Sequence, residues 1–67
     1  MVNIMEFIKA LKQIGSIVER AKQNLKTFEE LMRCYQNISL WILYNVDDPD
    51  ERYILQEYTH KQLFILN

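Results

Sequence analysis

The sequence is poor in the residues that punctuate, staple or catalyse. Among its 67 residues there is one glycine (Gly15), one proline (Pro49), one cysteine (Cys34) and one histidine (His60). Tight β-turns draw heavily on Gly and Pro, so an all-β chain of this length would need more of both. One cysteine closes no intramolecular disulfide. Cys34 with His60 also falls short of the four ligands of a structural zinc site and lacks finger spacing. The same two residues are the only material for a nucleophile and its base, and nothing in the sequence brings them together. Asp47, Asp48, Asp50 and Glu51 form an acidic cluster. Pro49 interrupts it and no glycine follows, so the EF-hand pattern fails and helix initiation is the better reading. Gly-rich phosphate loops, metalloprotease helices and nucleophile elbows are missing too. These absences predict a protein without catalytic centre, cofactor or metal.

Long apolar runs are also lacking. The longest, Leu40 to Tyr44, is far below the roughly 20 residues of a membrane helix. The first residues have neither the basic segment nor the apolar stretch of a secretory signal. A soluble, cytoplasmic protein that does not contact a membrane is expected.

What remains is a single short domain, residues 1–67, that is 49% hydrophobic. A chain this short buries only about 60% of the surface its unfolded form exposes. Helix packing, self-association or a partner must therefore supply extra stability. Apolar residues fall at Ile4, Phe7, Leu11, Ile14, Val18, Ala21, Leu25, Phe28, Met32 and Tyr35, the three-and-four spacing that lines one side of a helix. Asn3 with Glu6, and Thr27 with Glu30, have capping-box spacing, so a break is placed near residues 24–27 while Gly15 is carried inside the first helix. Asp48 as cap, Pro49 at the first helical position and acids in the first turn announce another helix. The prediction is an all-α bundle of three helices, 3–25, 28–45 and 49–64, with Tyr53, Ile54, Tyr58 and Ile65 sharing one side of the last. A competing α+β reading sets Ser39–Val46, Arg52–Thr59 and Gln62–Asn67 as a three-stranded antiparallel meander behind an N-terminal helix. Its second turn would be His60-Lys61, a poor two-residue hairpin.

In the heptad phase starting at Ile4, the flanking positions include Ile8, Ala10, Ile17 and Leu31, too apolar for a two-stranded rod. A multi-helix bundle completed by a homodimer fits better. Charge is uneven: residues 1–26 carry five basic and two acidic residues (+3), residues 27–67 three basic and seven acidic (−4), which sum to the net −1. This polarity suits pairing of two copies.

Two surfaces are candidates for function. Tyr35, Trp41, Tyr44, Tyr53 and Tyr58, with Phe64, crowd the C-terminal half. Each is a reasonable core residue alone. Together with an all-round apolar Ile38–Val46 they exceed what three short helices enclose, and Tyr and Trp dominate protein–protein hot spots. The expected function is a small non-enzymatic regulatory module that occludes or adapts a partner protein. A composition rich in Ile, Asn, Lys and Tyr suits a phage or mobile element. The alternative is a nucleic-acid-binding regulator using Lys9, Lys12, Arg20, Lys22 and Lys26 on the first helix and just beyond it. An overall acidic chain argues against nucleic acid, as does Asn24 where a helix-turn-helix built on Gly15 needs an apolar residue.

Overall fold

The computed structural model describes residues 4–65, so the expected Asn3 cap and the apolar Leu66 lie outside the described residues. Three helices follow in order, α1 (Ile4–Asn24), α2 (Phe28–Asn45) and α3 (Pro49–His60), and α3 runs on into a π-helical turn, Lys61–Ile65. Among the described residues there is no strand, which overturns the three-stranded alternative. The reason is local: Asp48 and Pro49 start a helix where the meander needs a turn and a strand.

Each boundary has a chemical cause. Leu25 to Thr27 form the first connection. Thr27 Oγ1 accepts the Glu30 amide at 3.2 Å, and Glu30 Oε1 accepts the Thr27 amide at 3.1 Å and the Thr27 hydroxyl at 2.9 Å. This reciprocal box satisfies amides that have no intrahelical partner. The Thr27 hydrogen bonds hold the Glu30 carboxyl below the usual carboxylate range. At α3, Asp48 Oδ1 accepts the amides of Asp50 (2.8 Å) and Glu51 (3.2 Å), with Pro49 in the first turn. The acidic cluster is therefore spent on starting a helix. Arg52 closes the other side of this connection, its guanidinium donating to the carbonyls of Val46 and Leu43 at the end of α2. A cation there also opposes the negative end of the helix dipole.

The three helices share one core: Ala10, Ile14, Val18 and Ala21 from α1, Ile38 and Ile42 from α2, Leu55 from α3 and Leu63 from the π turn. α1 passes unbroken through Gly15, as its apolar stripe implied. On α3 the expected side is corrected. The buried stripe is Leu55, Thr59 and Leu63, while Tyr53 and Ile54 are exposed. Thr59 can be fully buried because its hydroxyl donates to the Leu55 carbonyl at 2.7 Å, leaving no stranded polar atom. The bundle is long and thin, 39 × 17 × 16 Å. A core of eight apolar residues leaves many large hydrophobic side chains outside.

Candidate functional site: the α2/α3 face

α2 and α3 lie antiparallel. Ser39 Oγ donates to Gln56 Oε1 at 2.8 Å, and Arg52 Nη2 reaches the Leu43 carbonyl at 3.2 Å, so residues 39–43 run beside 52–56. Leu40 and Leu43, one turn apart on α2, and Tyr53 on α3 are exposed along this stretch; Tyr53 keeps 68% of its surface in solvent. Patterning dictates this result. Ile38 and Ile42 already occupy the core side of α2, so further aliphatic residues between them must point elsewhere.

At the other end of the same face the aromatic rings gather. Tyr35 meets His60 and Phe64 edge-on, at centroid distances of 6.3 and 5.9 Å, and Phe28 leans on Phe64 at 5.7 Å. The π turn carries Phe64, whose ring lies over His60, 5.7 Å away and four residues earlier. With Leu31, Met32 and Leu63 these rings enclose an open groove of about 590 Å³. Phe28 is 67% exposed at its rim. The whole face thus has an aromatic end and an aliphatic–tyrosine end, separated by the Ser39–Gln56 hydrogen bond.

The five aromatic residues singled out from sequence do not form one patch. Tyr35 and Tyr53 share the α2/α3 face at its two ends. Trp41 is half-buried between α1 and α2, beside Phe7 and Ala10. Tyr58 is half-buried against α1 at Gly15. Tyr44 is 79% exposed and lies one turn beyond Leu40 on the same side of α2, about 100° round the helix from Leu43. Phe28, Leu40 and Leu43 were not singled out. Their signal lay in α2 carrying more apolar residues than one core-facing side can hold.

The basic residues Lys9, Lys12, Arg20, Lys22 and Lys26 are all exposed. Lys9, Lys12 and Arg20 point outward from α1, Lys22 lies at the α3 edge and Lys26 in the first connection. Glu6 and Glu19 sit among them. Lys9 also lines a groove with Glu6, Asp47, Asp48 and Glu51. This is a mixed rather than a uniformly positive surface.

Cys34 is half-buried, and burial pushes its thiol up, towards the neutral form. Among the described residues no group of three or more His, Cys, Asp or Glu is placed to hold a metal ion. No described helix is long and apolar enough to cross a membrane. No protein-family model, curated protein or solved structure matches the chain.

Proposed function

We propose that this protein is a non-enzymatic binding module whose α2/α3 face docks on a partner protein and occludes or adapts it. The observation that carries this reading is the exposure of Phe28, Leu40, Leu43 and Tyr53 along one pair of antiparallel helices. Such a groove between two helices fits the apolar side of a third, the helix-in-groove mode of recognition. The net −4 of residues 27–67 favours a partner helix with basic flanks. The rigid rings around Tyr35 supply anchoring area at little entropic cost. A reduced, half-buried cysteine suits a cytoplasmic setting, and the composition that of a phage or mobile-element regulator.

The experiment places a photo-reactive phenylalanine analogue at Leu43, at Phe28 or at the exposed Arg20 on α1. The reading requires one protein adduct from the first two sites and none from the third. Leu40→Asp with Leu43→Asp then removes binding of that protein, while Lys9→Glu with Lys12→Glu leaves it. The nucleic-acid alternative makes the opposite demand: binding that weakens steeply with salt and is lost with the two lysines.

A further inference from the structure

A second exposed apolar strip lies on the other side of α3 from the docking face. Gly15, Val18, Tyr58 and Gln62 line the groove between α1 and α3, with Gly15 at the height of Tyr58 and Val18 near Gln62, so these two helices run parallel. Beside the groove, Ile4 and Ile8 on α1 and Ile54 on α3 are exposed, Ile54 by 51%. Charged residues continue both stripes. α1 presents Ile8, Lys12 and Glu19, and α3 presents Ile54, Glu57 and Lys61, all six exposed. The spacings of three, four and seven keep each set on one side of its helix.

The two stripes are complementary. Reading along the helices, α1 is apolar, basic, acidic, and α3 is apolar, acidic, basic. The pairs Ile8–Ile54, Lys12–Glu57 and Glu19–Lys61 depart from the Gly15–Tyr58 register by at most three residues, about 4.5 Å of helix rise, within reach of these side chains. Within one chain the stripes diverge outward from the groove. Between two copies they face each other.

We infer that a second copy of this chain covers the α1/α3 groove, about a two-fold axis parallel to the helices, with α1 of each copy lying on α3 of the other. The two like contacts then set apolar residues on apolar ones and each charge on its opposite. The segment charges agree, because α1 belongs to the +3 half of the chain and α3 to the −4 half. The other two-fold arrangement, with its axis across the helices, lays α1 on α1. Pairing Lys12 with Glu19 in that arrangement puts Ile8 at the height of Gln23 and sets one +3 segment on another. The interface leaves Leu40, Leu43 and Phe28 uncovered and meets the docking face only at Tyr53, one turn from Glu57, so charge reversal on α1 tests it separately from that face.

The test is solution mass by light scattering on three forms of the full chain. The wild type is expected at twice the 8.2 kDa chain mass, with the dimer weakening as salt rises. One variant reverses α1 (Lys12→Glu, Glu19→Lys) and the other reverses α3 (Glu57→Lys, Lys61→Glu). Each alone is expected to be a helical monomer by circular dichroism and mass, and an equal mixture of the two to recover the dimer. Ile54→Asp, which reverses no charge pair, is expected to lose it as well. A monomeric wild type overturns the inference. So does a mixture that stays monomeric, or an α1-reversed variant that still dimerises alone, as α1-on-α1 packing requires.

Discussion

Gly15 and Tyr58 are fitted to each other: a Cβ added to Gly15 would lie 3.1 Å from the Tyr58 hydroxyl oxygen, inside ordinary contact distance. The glycine needs no unusual backbone angle, since no described glycine has positive φ. Its role is space. It lets α3 lay a tyrosine across α1 in the middle of a 21-residue helix, and this contact fixes the register of the two helices.

Two effects oppose each other in Gly15→Ala. Alanine favours a helix interior by about 1 kcal/mol over glycine, while the new methyl group must move the Tyr58 hydroxyl by a few tenths of an ångström. The expected net change in urea denaturation is small. In a Tyr58→Phe background the hydroxyl is gone, and Gly15→Ala should stabilise by close to the full propensity gain. Equal effects in both backgrounds would mean that Tyr58 does not press on Gly15.

Core and surface aliphatic residues of α2 should separate cleanly. Ile42 is fully buried, and Ile42→Ala is expected to cost about 2–5 kcal/mol, comparable to the whole stability of a domain this small. Leu43, its exposed neighbour, should change stability by no more than about 0.5 kcal/mol when made alanine in the monomer. Chemical denaturation of both variants checks the difference.

The Thr27–Glu30 box makes a pH prediction. Because folding lowers the Glu30 pKa, its contribution is present above the unfolded carboxylate range and is lost as pH falls through the lowered folded value. The melting temperature of wild type should therefore exceed that of Glu30→Gln at neutral pH, and the gap should close in acid. Thr27→Ala is expected to cost about 1 kcal/mol at neutral pH and to shrink the same gap.

Cys34 should react slowly. Its thiol is half-buried and shifted up, so little thiolate exists at neutral pH. Alkylation followed by mass spectrometry should be slow in the folded protein and fast in denaturant. Equal rates would contradict the packing of Cys34 in α2.

How much of this could be read from the residues varies by element. The α1 stripe from Phe7 to Leu25, the Thr27–Glu30 box and the Asp48-Pro49 start all carry local signals, and they recur as helix and caps. α3 was less legible. Its buried stripe includes Thr59, which enters the core only because the Leu55 carbonyl accepts its hydroxyl, and no apolar pattern reports such a bond. The π turn, which carries the Phe64 that meets Phe28, has no local signal either. On α2, the surplus of Leu, Ile, Tyr and Trp announced an exposed apolar surface, but which members were exposed depended on where α1 and α3 docked. Trp41 and Tyr58 therefore carry the same sequence signal as Tyr53, although they pack against α1. Leu40 and Leu43 carry no such signal, because aliphatic residues in a helix read as core.

The central claim is that α2 and α3 present the partner-binding face, and crosslinking from Leu43 tests it most directly. With the photo-reactive side chain at that position, the account predicts one discrete protein adduct, shared with the Phe28 position, missing at Arg20 and abolished by Leu40→Asp. Nucleic-acid adducts, the same adducts from all three positions, or none from Leu43 would contradict it.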